Sequence, residues 1–116
     1  MKIGFVGCGN MATAIIKRII KKQIIEEENI MASAKTKTTL ERVQRELGIK
    51  VSMDNSEVVK NSDIVVLAVK PQYYQEVIEQ IKDTVSDNQI IISIAPGKTL
   101  AWLQDCFGKN VELVRT

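Results

Sequence analysis

Short apolar runs alternate with helical patterns along the whole chain. The runs at residues 3–6, 63–69 and 90–94 are continuous in their apolar character, which is typical of parallel strands covered on both faces. Between them, apolar residues recur at spacings of three or four, which predicts amphipathic helices. This alternation predicts one domain of the α/β class, in which a doubly wound parallel sheet forms the middle of three α/β/α layers.

The predicted strands cover residues 3–6, 29–33, 49–51, 63–69, 90–94 and 111–114. The predicted helices cover residues 10–22, 39–47, a brief segment from residue 55, 74–85 and 100–107. The expected spatial order of the strands is 3-2-1-4-5-6. We expect the inward helix positions to be Ala14, Ile15, Ile19, Ile20, Leu40, Val43, Leu47, Tyr74, Val77, Ile78, Ile81, Val85, Leu100, Leu103 and Phe107, with Trp102 undecided.

A glycine turn stands between the first strand and the first helix. Gly7-x-Gly9-x-x-Ala12 begins where the run at residues 3–6 ends, and a helical pattern follows at once. In the Rossmann-like fold, this order places a helix N-terminus against a phosphate: the first glycine permits the turn and the second lets backbone approach the pyrophosphate. A plain tight turn is the alternative for two glycines alone. The strand before, the helix after and a second strand at the expected distance favour dinucleotide binding.

The end of the second strand bears on the choice of cofactor. Versions of the fold that bind NAD carry an acidic residue here, which accepts a hydrogen bond from the ribose 2′-hydroxyl. This chain has Ser33 and Lys35 instead, and the next acidic residue is Glu41. Hydroxyl and ammonium groups donate to a phosphate, so the sequence favours NADP(H), with NAD(H) as the alternative. The same polar segment also offers Thr36, Thr38 and Thr39 as helix N-caps.

Three further positions have both a functional and a structural interpretation. Asn55 is either an N-cap or a contact to the adenosine side of the cofactor, and the spacing favours the cap. Lys70 ends the fourth strand and is held extended by Pro71; it meets a phosphate, polarises a substrate or is simply solvated. The small residues 95–97 leave room beside a nicotinamide ring or form a turn into the last helix.

Composition excludes several classes of function. Sixteen basic and fourteen acidic residues give a net charge of +2, too balanced for a nucleic-acid protein. The absence of histidine excludes histidine catalysis and histidine metal sites, and no metal site is expected. Residues 26–28 are three consecutive glutamates, for which a solvated loop is favoured over an acidic site. Without a signal peptide or an apolar run of membrane-spanning length, we expect a cytoplasmic protein with reduced thiols, no membrane and no nucleic acid.

The two cysteines receive structural interpretations. Cys8 lies at a helix N-terminus, where a thiol pKa can be lowered, but no general base is adjacent in the sequence. A small packing residue in the phosphate turn is therefore favoured over a nucleophile. Cys106 is expected to be buried on the last helix.

The sequence resembles the N-terminal domain of the pyrroline-5-carboxylate reductase family. The residues that carry the resemblance are the segments 5–12, 66–72 and 92–97, with Ser33, Asn55 and the terminal Val114-Arg115. Together they span the whole chain. Ala12 and Pro96 depart from the family pattern: Ala12 stands where glycine is more frequent, and Pro96 has no backbone amide to donate to the cofactor.

The resemblance implies NAD(P)H-dependent reduction of the cyclic imine Δ1-pyrroline-5-carboxylate to L-proline. It implies residues 1–116 as the NAD(P)-binding domain, with the helical domain that forms the dimer and most of the substrate pocket absent from this chain. A homo-oligomer is expected at full length, and the isolated chain is expected to bind NADPH with little or no reductase activity. The implied cofactor contacts are Val6, Gly7, Cys8, Gly9, Asn10, Met11, Ser33, Lys35, Asn55, Ala68, Val69, Lys70, Pro71, Ile94, Ala95 and Pro96.

No residue present is a convincing proton donor to the imine, so no catalytic residue is assigned. Two alternatives remain. One is a non-catalytic NADP(H)-binding sensor or assembly module, and the other is a different imine or β-hydroxyacid-type reductase with the same front half.

Overall fold

A computed structural model of the chain describes residues 1–94, 99–108 and 112–115. The strands are β1 (Ile3–Val6), β2 (Ile30–Ser33), β3 (Lys50–Ser52), β4 (Ile64–Leu67), β5 (Ile90–Ser93) and β6 (Glu112–Arg115). The α-helices are α1 (Asn10–Lys21), α2 (Lys37–Leu47), α3 (Asn55–Lys60), α4 (Tyr74–Ile81) and α5 (Leu100–Phe107). Two short 3-10 helices, Glu27–Asn29 and Pro71–Tyr73, were not predicted.

The strands form one parallel sheet in the order β3-β2-β1-β4-β5-β6. This confirms the predicted fold class and strand order. In the register, Phe5 of β1 lies beside Ala32 of β2 and beside Val66 of β4. The carboxyl ends of β1, β2 and β4 therefore meet at one edge of the sheet, where ligands bind in open α/β sheets.

Alternate residues of each strand face opposite helix layers. Phe5 and Val66 pack in one buried cluster with Ile16 of α1 and Val43 of α2. The cluster on the other face joins β1 and β4 to the remaining helices, through Val6, Leu67, Val58 of α3, Ile78 of α4 and Leu103 of α5. Helices on both faces make the sheet the middle layer, as predicted.

The inward faces of α2 and α4 were predicted correctly except at Leu40, which is only partly buried. Val43 and Leu47 of α2 are buried, and α2 ends before Gly48, which adopts the left-handed conformation. Tyr74, Val77, Ile78, Ile81 and Val85 are all buried, although α4 ends at Ile81 and Val85 lies in the turn beyond it.

Two other helix faces differ from the prediction. In α1, Ala14 is exposed although it was predicted to face inward, whereas Ala12, Thr13 and Ile16 are buried. Ile15, Ile19 and Ile20 are only partly buried. In α5, Leu100 is 46% exposed, while Leu103 and Phe107 are buried and Trp102 is half-buried. Periodicity gives the width of an apolar stripe, but the packing angle on the sheet decides which part of it is buried.

A buried tyrosine connects the neighbouring strands β4 and β5 at the ligand-facing edge. The Tyr74 hydroxyl donates to the Leu67 carbonyl at 2.8 Å and lies 3.0 Å from Ser93 Oγ. Leu67 ends β4 and Ser93 ends β5. The tyrosine therefore fixes the edge that the candidate site occupies.

Candidate functional site

The turn between β1 and α1 has the geometry that its glycines predict. Gly7 has φ = +94°, in the left-handed region that side chains rarely adopt. A Cβ at Gly7 would lie 2.7 Å from Val69 Cγ1 and 3.1 Å from the Val69 amide nitrogen. Position 7 therefore requires glycine both for its conformation and for the close approach of the segment that follows β4.

The N-terminus of α1 is open to a ligand. The Thr13 amide donates to the Gly9 carbonyl at 3.0 Å, so the amides of Asn10 and Met11 precede the first intrahelical bond of α1. A Cβ at Gly9 would meet no heavy atom within 4 Å among the described residues. Amides without intrahelical partners, a helix dipole and free space beside Gly9 together suit a phosphate group.

Ser33 connects the glycine turn to the next helix layer. Its Oγ accepts a hydrogen bond from the Gly7 amide at 3.0 Å and donates to Asn55 Oδ1 at 2.5 Å. Asn55 Nδ2 then donates to Gln80 Oε1 at 2.8 Å. Ser33 itself is buried. The chain of hydrogen bonds therefore positions the glycine turn against α3 and α4.

Asn55 is not the N-cap of α3, so the interpretation that its spacing favoured is wrong. Asp54 takes that role, because its Oδ1 accepts from the Ser56 amide at 2.9 Å. Asn55 occupies the first helical position, which leaves its amide group for the bonds to Ser33 and Gln80. The N-cap of α2 is Thr36, one of the three threonines proposed for it.

A cleft of about 400 Å³ opens beside this network. We call it the Ser33 cleft; it lies at the carboxyl ends of β1 and β2, against α4. Its lining residues are Gly7, Ser33, Ala34, Lys35, Met53, Asn55, Val69, Glu76, Val77 and Gln80. Five of these are predicted contacts. Met53, Glu76 and Gln80 were not predicted as contacts, since only the fold brings them beside the end of β2.

Lys35 lies at this cleft with its ammonium group on an aromatic ring. The Lys35 Nζ lies 3.7 Å from the centroid of the Tyr73 ring, a cation–π distance. Tyr73 belongs to the 3-10 helix that follows β4. The contact therefore joins the segment after β2 to the segment after β4.

The remaining predicted contacts divide by exposure. Val6 and Cys8 are buried, so only their backbone could meet a ligand. Asn10, Met11, Lys70 and Pro71 are exposed, and Ala68, Val69 and Ile94 are half-buried. They occupy the same edge of the sheet, near the ends of β1, β4 and β5. Ala95 and Pro96 lie outside the described residues.

Lys70 keeps the extended backbone predicted from Pro71, with φ = −62° and ψ = 148°. The Ala68 amide donates to the Val6 carbonyl at 2.9 Å, which extends the β1–β4 connection past the end of the strand. The segment after β4 is thus held close to the glycine turn.

The thiol of Cys8 is suited to packing. Burial raises the pKa of Cys8, and this exceeds the lowering effects of the Thr13 hydrogen bond and the Arg42 charge. Cys8 Sγ lies 3.7 Å from Thr13 Oγ1. The raised pKa keeps the thiol neutral at physiological pH, in keeping with the packing interpretation. Cys106 packs against the core but is only half-buried, so the expectation that it is buried is wrong.

A second cavity, of about 700 Å³, lies at the opposite edge of the sheet. Glu26, Glu27 and Glu28 line it, and all three are exposed. The hydrogen bond that protonated Glu26 donates to Glu28, together with the negative charge of Glu28, raises the pKa of Glu26. Clustered carboxylates disfavour a phosphate-bearing ligand, so this cavity is not the candidate site.

Residues 1–94, 99–108 and 112–115 contain neither a metal-binding cluster nor a membrane-spanning helix. No cluster of three or more histidine, cysteine, aspartate or glutamate side chains there could hold a metal ion. None of the helices in this part of the chain combines the length and the apolar character needed to cross a membrane.

Sequence comparison gives one family and a group of relatives. The family model described as "NADP oxidoreductase coenzyme F420-dependent" matches residues 2–97. The pyrroline-5-carboxylate reductase of Methanosarcina acetivorans is 40% identical over 114 residues, which cover 98% of this chain and 42% of that protein.

Solved structures agree with the sequence matches. A pyrroline-5-carboxylate reductase from Coxiella burnetii has a TM-score of 0.92 and 32% identity, covering 98% of this chain and 42% of that one. The pyrroline carboxylate reductase of Plasmodium falciparum with NADP bound has a TM-score of 0.87 and 29% identity, covering 99% and 41%. The chain therefore spans about two fifths of the length of these relatives.

Proposed function

The chain belongs to the family described as NADP oxidoreductase, coenzyme F420-dependent, and from this we propose that it is the cofactor-binding part of an NAD(P)H-dependent pyrroline-5-carboxylate reductase. The reaction is reduction of Δ1-pyrroline-5-carboxylate to L-proline. The observation that carries the proposal is the β1–α1 turn, in which a left-handed Gly7 leads to an open helix N-terminus beside Gly9. The named relatives match nearly the whole chain and support the choice of reaction.

We propose NADP(H) as the preferred cofactor and NAD(H) as the weaker one. The family description names both NADP and coenzyme F420, and the Plasmodium falciparum neighbour has NADP bound. In this chain, β2 ends in a serine, and Lys35 lies at the Ser33 cleft. Glu76 also lines this cleft, and the negative charge of its carboxylate opposes the binding of a 2′-phosphate.

The sixteen residues named from the family resemblance are our proposal for the cofactor contacts. Gly9, Asn10 and Met11 would hold the pyrophosphate through backbone amides, and Ser33, Lys35 and Asn55 would surround the adenosine side. The exposed backbone after β4 and the end of β5 would border the nicotinamide. The cofactor supplies the hydride when bound, and the residues of this chain bind and orient it.

We propose that residues 1–116 form the dinucleotide-binding domain and that most of the imino-acid pocket and the dimer contacts come from elsewhere in the full-length protein. The relatives are more than twice as long as the matched segment, which supports this division. We also propose a homo-oligomeric full-length protein acting in the cytoplasm on a small molecule. Light scattering and cell fractionation of the full-length protein test these two points.

Calorimetric titration of purified residues 1–116 with NADPH and with NADH tests the binding proposal. We expect both to bind, with NADPH tighter. Equal affinities would contradict the NADP preference alone, and binding of neither would contradict the assignment of the β1–α1 turn.

An assay of imine reduction tests whether residues 1–116 bind the cofactor but need the rest of the full-length protein for catalysis. Residues 1–116 are expected to show little or no turnover, and the full-length protein is expected to produce L-proline. Turnover by residues 1–116 alone would contradict the proposed division. A full-length protein that binds NADPH but reduces no imine would instead favour a sensor or assembly module.

A further inference from the structure

The Lys35–Tyr73 contact crosses the end of β1. Lys35 follows β2, Tyr73 belongs to the 3-10 helix after β4, and these two strands flank β1 in the sheet. The Lys35 Nζ lies 3.7 Å from the Tyr73 ring centroid. The pair therefore connects the two segments between which Gly7 and the Ser33 cleft lie.

We propose that Tyr73 is a positioning residue for NADP(H): its ring holds the Lys35 ammonium at the Ser33 cleft, where that ammonium meets the cofactor's 2′-phosphate. This inference rests on the proposed function. It adds a residue that neither the glycine turn nor the end of β2 indicates. It also assigns the cofactor preference to a pair of residues instead of to one lysine.

The chemistry of the pair suits this role. A free lysine side chain has four rotatable bonds and loses their freedom when it is fixed on a ligand. The face of the ring orients the ammonium before the ligand binds. The ammonium has three N–H donors, so donors remain available for the phosphate oxygens. A carboxylate partner would compete with the phosphate for the charge, but neither ion pair formed by the described residues includes Lys35.

The solvent exposure of Lys35 and Tyr73 favours a role in ligand binding over a role in stabilising the fold. Lys35 is exposed and the Tyr73 side chain is 36% exposed, so neither belongs to the buried core. A cation–π contact between exposed groups corresponds to about a two- to fivefold change in affinity. That effect should appear only for ligands that carry the 2′-phosphate.

Calorimetry with two matched pairs of ligands tests the proposal. One pair is NADPH and NADH, and the other is adenosine 2′,5′-bisphosphate and adenosine 5′-monophosphate. In each pair, only the first ligand carries the 2′-phosphate. The proteins are the wild type, Tyr73→Leu, Tyr73→Phe, Lys35→Met and the double variant Tyr73→Leu/Lys35→Met. Lys60→Met, an exposed lysine on α3, controls for the loss of one charge.

Tyr73→Leu should weaken binding of NADPH and of the bisphosphate by about two- to fivefold and leave NADH and the monophosphate unchanged. Tyr73→Phe should behave like the wild type, because it keeps the ring. In the Lys35→Met background, Tyr73→Leu should have no further effect, since the pair acts as a unit. Lys60→Met should not change the ratio of NADPH to NADH affinity.

Three results would overturn the proposal: an equal loss for both members of a ligand pair, a full Tyr73→Leu effect in the Lys35→Met background, or wild-type selectivity in Tyr73→Leu. The last result would leave the proposed function standing. If the folded wild type bound neither NADPH nor NADH, the proposed function would fail and this inference with it.

Discussion

Ser33 Oγ donates a hydrogen bond to Asn55 Oδ1 across 2.5 Å, while it accepts one from the Gly7 amide. The two side chains are 22 residues apart in the sequence, and they connect the end of β2 to the start of α3. Both were predicted as cofactor contacts. In the structure their polar groups already engage each other, so they also shape the turn that would hold the phosphate.

Replacement of Ser33 by alanine should lower both stability and cofactor affinity. Removing Oγ leaves the Gly7 amide and the Asn55 carbonyl oxygen without this partner, at an expected cost of about 1–3 kcal/mol. Urea unfolding and NADPH titration measure the two effects. Ser86→Ala, at an exposed serine in the α4–β5 connection, is the control and should stay within about 0.5 kcal/mol of the wild type. Equal stability of the two variants would show that the Ser33 bonds contribute nothing.

Replacement by alanine should have different effects at the two glycines: at Gly7 it should mainly lower the stability of the fold, and at Gly9 it should mainly weaken NADPH binding. Gly7→Ala combines φ = +94° with a close contact to Val69, so it should destabilise the fold by about 1–3 kcal/mol. Gly9→Ala enters open space, so it should destabilise the fold less than Gly7→Ala, by about 0.5–1 kcal/mol for alanine at the α1 N-cap. It should still weaken NADPH binding by tenfold or more, because its methyl group occupies the space we assign to the pyrophosphate. Full NADPH affinity in Gly9→Ala would contradict that assignment.

Neighbouring tyrosines should respond differently to loss of the hydroxyl. Tyr74→Phe removes the buried group that contacts Leu67 and Ser93, and it should cost about 1–3 kcal/mol in the free energy of unfolding. Tyr73 is partly exposed, so Tyr73→Phe should change stability by less than about 0.5 kcal/mol. Chemical denaturation of both variants provides the test. A Tyr74→Phe variant as stable as the wild type would mean that the hydroxyl does not hold β4 to β5.

Deprotonation of Cys8 should lower the free energy of unfolding at alkaline pH. Its pKa in the folded chain is raised by burial, so the folded state holds the proton more tightly than the unfolded state. The resulting stabilisation is fully present below the unfolded value of about 9 and is lost as pH rises through the folded value. The free energy of unfolding, measured from pH 7 to 11, should therefore fall less steeply in Cys8→Ala than in the wild type.

Cys106→Ala is the matched control for this measurement, because it removes the other thiol and retains Cys8. It should keep the steep wild-type fall. An alkaline profile of Cys8→Ala that overlays the wild-type profile would exclude Cys8 as the source.

The local sequence determined the elements and their order. Apolar runs predicted the strands, and the order found in the sheet is the predicted one. The glycine turn was also predictable, because the backbone conformation at Gly7 and the helix start after Gly9 depend on nearby residues. α2 begins after Thr36 and ends before Gly48, since cap chemistry acts over a few residues.

Only the tertiary structure decided the contacts around the site. Asn55 could have capped α3 on spacing alone, but Asp54 caps it, and Asn55 is directed to Ser33 and Gln80. The sequence placed Glu76 on a helix without indicating that it reaches the Ser33 cleft. Such contacts depend on how α4 packs against the sheet and on the β2–β1–β4 order, which bring together segments that are distant in the chain. Local periodicity predicts an element and its apolar side, whereas long-range packing sets its rotation and its partners.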